Sequence, residues 1–111
     1  MACRLARVST AAAVTYYDRA GLPIDQNEWA ERFATDGYRQ VAYNVVGDVA
    51  VSTVWLGLDH GYGGPPLIFE TMIFGGPMDH ECWRWPSEAA AIAGHDQALA
   101  LVADWAGRRA K

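Results

Sequence analysis

Apolar and polar positions fall into blocks that divide the chain into elements. Val14-Thr-Tyr-Tyr17 is β-branched and aromatic, which predicts a strand. Asp18-Arg-Ala-Gly21 reads as a turn, and Leu22-Pro23-Ile24 as extended backbone, because proline keeps its neighbours out of the helical region. A helix follows, with Asp25 as N-cap and Glu28 three residues later, the capping-box position. Ile24 is placed to staple onto Trp29, Trp29 and Phe33 share a face, and Gly37 is expected to end the helix.

Two strands, 38–46 and 49–58, flank Gly47-Asp48, a tight hairpin turn. The Gly/Pro loop 59–66 leads into 67–74, nearly continuous in apolar character and therefore a central strand. Gly75-Gly76-Pro77 breaks it, and 81–85 fits a short edge strand. Ser87 caps a second helix running to about Trp105 and stopping near Gly107, with Ile92, Leu99, Val102 and Ala106 as its apolar stripe. The order β-α-β-β-β-(β)-α predicts one α+β domain over 14–107, an antiparallel sheet of four or five strands with both helices on one face. Residues 1–13 are Ala-rich and without period, and are expected to form a flexible N-terminal segment.

Composition narrows the classes. A chain of 111 residues has room for one domain, and 51% hydrophobic with 20% charged residues predicts a packed globule. A net charge of −4 lacks the basic footprint of a nucleic-acid binder. No apolar run approaches the ~20 residues of a membrane span, and the start falls short of a signal peptide. Two cysteines, Cys3 and Cys82, are too few for a disulfide framework. They are expected as free thiols, in a reducing, cytoplasmic setting.

Three stretches carry a resemblance: Val51-Ser-Thr-Val-Trp-Leu-Gly-Leu-Asp-His60, Gly64-Pro-Pro-Leu-Ile-Phe-Glu-Thr-Met-Ile-Phe-Gly-Gly76, and Ala93-Gly-His95. Tyr17-Asp-Arg-Ala-Gly-Leu-Pro-Ile24 and Glu28-Trp-Ala30 add to it. Over roughly residues 16 to 102 the chain resembles a family of small proteins encoded by phages and their bacterial hosts, mostly actinobacterial. The resemblance implies a phage or prophage setting and brings no activity with it. The chain departs from that pattern at Cys82-Trp-Arg-Trp-Pro86, where relatives are more polar.

Several residues are candidates for chemistry. Glu70 alternates with Ile68, Met72 and Phe74, so it is partnered, raised in pKa, or on a face covered only in a complex. His95 lies three after Ile92 and four before Leu99, on the inward stripe. If Glu70 lines the helix side, the two meet as an acid–imidazole pair. His60 follows Asp59 at a strand end beside Tyr62, a place where sites concentrate or where both residues simply cap the loop. Asp79-His-Glu-Cys82 holds four ligand types in a row, but contiguous residues point in different directions. No bound metal or cofactor is therefore expected. There is no Gly-x-Ser-x-Gly nucleophile elbow, and Gly61-Tyr-Gly-Gly64 lacks a P-loop ending. Trp83 and Trp85 flank Arg84, which suits either a binding hot spot or an edge strand packed on the second helix.

The reading these residues favour is a non-enzymatic phage-type accessory protein that binds a host or phage protein, without contact to nucleic acid or membrane. The binding candidates are Asp59, His60, Tyr62, Glu70, Trp83, Arg84 and Trp85. A small acid–base or metal-assisted enzyme on His60, Glu70 and His95, and a small-ligand sequestering module, are its rivals. A homodimer is expected, because the 67–74 strand is apolar on both faces and two helices cover only one.

Overall fold

The computed structural model describes residues 15–59 and 64–109. The expected N-terminal segment 1–13, together with His60 and Tyr62, lies outside them. The fold is α+β, as the element order predicts. Strands β1 (Thr15–Tyr17) and β2 (Pro23–Ile24) pair antiparallel, and helices α1 (Gln26–Phe33) and α2 (Asp36–Arg39) follow. β3 (Gln40–Val46) and β4 (Val49–Trp55) form a hairpin, and β5 (Leu58–Asp59) returns to β1. β6 (Phe69–Phe74), β7 (Cys82–Trp85) and α3 (Glu88–Arg109) complete the chain. The expected single sheet is two antiparallel sheets, ordered β2-β1-β5 and β3-β4-β6-β7.

The split occurs where one strand, 49–58, was expected. Gly57 adopts φ +71°, and a Cβ there would collide with the Trp55 ring and come within 2.8 Å of the Trp29 ring. Only glycine lets the chain turn so close to two indoles. The Leu56 and Gly57 amides both donate to the Ile68 carbonyl, at 2.7 and 3.2 Å, and the chain leaves the large sheet for the small one.

Local signals mostly hold. Asp25 caps α1 by accepting from the Glu28 amide at 2.8 Å. Gly47, at φ +61°, turns the β3–β4 hairpin between the paired Val46 and Val49. Ser87 caps α3 by accepting from the Ala90 amide at 3.2 Å. Gly37 does not end the first helix. The chain caps at Ala34 and resumes as α2, with Gly37 inside it. α3 also runs past Gly107 to Arg109.

Burial alternates along β4, where Val49, Val51, Thr53 and Trp55 point inward, and along β6, where Phe69, Thr71 and Ile73 do so. α3 lies across this face and touches all four strands. The far end is closed by α1, α2 and β1, whose Trp29, Phe33, Tyr38 and Tyr17 surround Trp55. The buried line of α3 is Ala91, Gly94, His95, Ala98 and Val102, and Ile92 is 47% exposed. The expected stripe is therefore rotated. Small residues face the sheet because the approach is close: a Cβ on Gly94 would fall inside the Trp85 indole. No described helix is long and apolar enough to cross a membrane.

Candidate functional site

The core has a polar seam between two apolar clusters, one around Val51 and Ile73, the other around Trp55 and Phe69. Thr53 and Thr71 are cross-strand partners, and their hydroxyls lie 2.6 Å apart. Trp85 Nε1 donates to Thr71 Oγ1 at 3.0 Å, Thr53 Oγ1 lies 2.7 Å from His95 Nδ1, and His95 Nε2 lies 2.8 Å from Asn44 Oδ1.

Asn44 Oδ1 can only accept, so the proton of a neutral imidazole sits on Nε2, Nδ1 accepts the Thr53 hydrogen, and Thr53 accepts the Thr71 hydrogen while the Trp85 indole donates to Thr71. Every member is satisfied with a neutral ring. An imidazolium would reverse the Thr53 and Thr71 hydroxyls and leave the Thr71 hydrogen without an acceptor. Burial pushes the His95 pKa below the ordinary histidine value, with the nearby Asp96 carboxylate opposing.

Hydroxyl, imidazole and amide in series have the connectivity of a nucleophile, its base and the group that orients the base. Here the hydroxyl is sealed. Thr53 is 0% and His95 2% exposed, both enclosed between α3 and the sheet. The arrangement fastens the helix to the sheet and leaves no path for a substrate to Oγ1.

Glu70 is not part of it. It alternates with the inward Phe69, Thr71 and Ile73, so it lies on the opposite face of the sheet from His95. The expected Glu70–His95 pair does not form. Glu70 instead accepts from Arg84 Nε at 3.3 Å, across the β6–β7 pairing that sets the two opposite each other. Burial pushes the Glu70 carboxyl up, and Arg84 pulls it back without cancelling the effect.

The remaining candidates are dispersed. Asp59 lies in the small sheet, in register with Thr15. Asp79 serves its turn: its carboxylate accepts from the Gly75 amide at 2.6 Å, and His80 adopts φ +71° beside it. Among the described residues no group of three His, Cys, Asp or Glu side chains converges on a metal position. Cys82 is disulfide-bonded, against the expectation of two free thiols, and Cys3 is the only other cysteine in the chain.

Trp83 and Trp85 pack on α3, and the same two rings wall a cleft beside it. They face α3 on the same side as Thr71, half-buried, while Arg84 points away to Glu70. Beside them Gly94, Gln97, Ala98 and Leu101 complete a shallow cleft of about 110 Å³. The site residue that sequence reasoning missed is Arg19. Its guanidinium binds Glu88 through two hydrogen bonds and donates to the Tyr38 carbonyl at 3.0 Å. Nothing local marks it, since its acid lies in another element.

No family model, curated protein or solved structure matches the chain.

Proposed function

We propose that this is a non-enzymatic, phage-type accessory protein that binds a host or phage protein. The observation that carries the reading is the cleft between β7 and α3. Two half-buried tryptophans and Leu101, 49% exposed, surround a glycine floor. Its volume of about 110 Å³ suits one apolar side chain of a partner. Small-molecule sites begin at roughly 300 Å³, so the sequestering module has less support. The acid–base enzyme would need Glu70 and His95 on one side of the sheet. The phage setting is supported by the resemblance of residues 16 to 102 alone.

The test is affinity capture from an actinobacterial lysate with the wild type and Leu101→Arg. A stoichiometric protein held by the wild type and lost by the variant supports the reading. Capture indifferent to Leu101→Arg, or no capture, counts against it. Residence in the host cytoplasm belongs to the same proposal, although a disulfide at Cys82 suits an oxidising compartment. Fractionation decides it: a cytoplasmic protein with Cys82 reduced agrees, and an exported protein with Cys82 oxidised does not.

A further inference from the structure

We infer that β3 is a self-pairing edge, along which two copies of the chain join antiparallel into one continuous sheet. β3 ends the order β3-β4-β6-β7, and among the described residues nothing pairs with its outer side. Exposed edges are ordinarily blunted with charge, proline or a covering element. Gln40-Val-Ala-Tyr-Asn-Val-Val46 contains no charged residue and no proline.

The hydrogen-bond phase of the hairpin identifies the outward groups. Val46 and Val49 close a two-residue turn, so they form a bonded pair, as do Asn44 with Val51. Tyr43 and Val45 alternate with these, and their N–H and C=O groups point away from β4. The irregularity of the edge is confined to Gln40–Ala42, where the Gln40 side-chain Nε2 donates to the Ala42 carbonyl at 2.8 Å.

The side chains agree with the backbone. Tyr43 and Val45 are 56 and 58% exposed on the face away from α3. Toward the other edge that face is shielded, with the Glu70 and Arg84 side chains only 13 and 17% exposed. What stands exposed on that face is the β3 rim, together with Phe74 at the end of β6, 43% exposed.

A second copy fits because the strand is complementary to itself. In a two-fold register centred on Asn44, Tyr43 stands opposite the partner's Val45 and Val45 opposite the partner's Tyr43. Each outward pair exchanges two backbone bonds, roughly four in all. The same register sets an aromatic against a β-branched side chain twice, a favourable cross-strand pair, and brings no charges together. The inference is independent of the β7–α3 cleft.

Light scattering on the reduced protein over a concentration series tests it. The expected mass is twice 12.1 kDa. Val45→Pro deletes an outward N–H and spares every bond to β4, and Tyr43→Lys places a charge on the edge without touching the backbone. Both should be folded monomers by circular dichroism. Phe74→Lys, on the same face but an inner strand, should stay dimeric. In the wild type, the Tyr43 and Val45 amides should exchange as slowly as those of Asn44 and Val46. A wild-type monomer at the highest soluble concentration, a dimer that persists in both edge variants or dissolves in Phe74→Lys, or fast exchange at Tyr43 and Val45 overturns it.

Discussion

Arg19 holds both carboxylate oxygens of Glu88, 69 positions later, at 2.8 and 2.6 Å. Its third nitrogen, Nη1, donates to the Tyr38 carbonyl, and its backbone amide donates to the Tyr38 hydroxyl at 2.8 Å. One side chain thereby joins the turn after β1, the short helix α2 and the first turn of α3. Because the pair is partly exposed, solvent screening limits its strength. A double-mutant cycle of Arg19→Met and Glu88→Gln should give a coupling of about 1 kcal/mol by urea unfolding. Arg19 lowers the Glu88 pKa, so the contribution is full above the ordinary glutamate value of 4.5 and fades as pH falls through the folded value. A cycle with no coupling at neutral pH would show that the fork is ornamental.

The His95 network sets a second pH dependence, with its own range. The histidine pKa is lowered in the folded state, so the unfolded chain takes up the proton first. Stability from this group is fully present above pH 6.5 and is lost as pH falls through the lowered folded value. Wild type should lose stability between pH 7 and pH 5 through this group, and His95→Gln should lose less over the same interval. Equal slopes in the two proteins would contradict the assignment of a neutral ring. Thr53→Val removes the donor to Nδ1 and should cost about 1–3 kcal/mol at pH 8.

Glu70→Ala and His95→Ala should be additive in chemical denaturation, within about 0.5 kcal/mol. They lie on opposite faces of the sheet and share no partner. A strong coupling would restore the acid–imidazole pair.

Two glycines on α3 should respond oppositely to alanine. At Gly107 nothing lies within 4 Å of the added Cβ, so Gly107→Ala should stabilise by up to about 1 kcal/mol through helix propensity. At Gly94 the same atom falls inside the Trp85 ring, and Gly94→Ala should cost about 1–3 kcal/mol of overpacking. Melting temperatures of the two variants, moving apart from wild type, are the readout.

The state of Cys82 is a fifth measurable. A disulfide at Cys82 restricts the unfolded chain, an effect typically worth about 2–4 kcal/mol. Cys82→Ser and reduced wild type should therefore unfold at similar, lower denaturant concentrations than the oxidised protein. No change on reduction would mean that the bond adds nothing to stability.

What was legible in the sequence was what neighbours decide. The Asp25 cap, the Gly47-Asp48 turn and the Ser87 cap each need only a few consecutive residues, and all three are as expected. The face of β6 was not legible. Phe69, Thr71 and Ile73 compete with Ile68, Met72 and Phe74, so hydrophobicity alone does not choose between them. The threonine hydroxyl chooses, because Thr53 and Thr71 complete a chain that reaches Trp85 and His95. The position of Glu70 follows from that choice. On α3 the bulkier Ile92 and Leu99 suggested the buried stripe, but close packing against Trp85 favours Ala91, Gly94 and Ala98. Arg19 and Glu88 are joined by topology, which no local pattern reports.

The placement of α3 after all seven strands has a consequence for how the chain is made. The apolar side of the large sheet is synthesised before its cover. Until the ribosome has passed Val102, the inward faces of Val49, Val51, Phe69 and Ile73 have no helix to lie against. β1 likewise has only two-residue β2 beside it until Leu58 and Asp59 arrive, and an isolated hairpin is marginal in water. The nascent chain thus carries a sticky, unfinished surface from Val49 until Val102 is made, an interval in which chaperones or a premature stop decide between folding and aggregation.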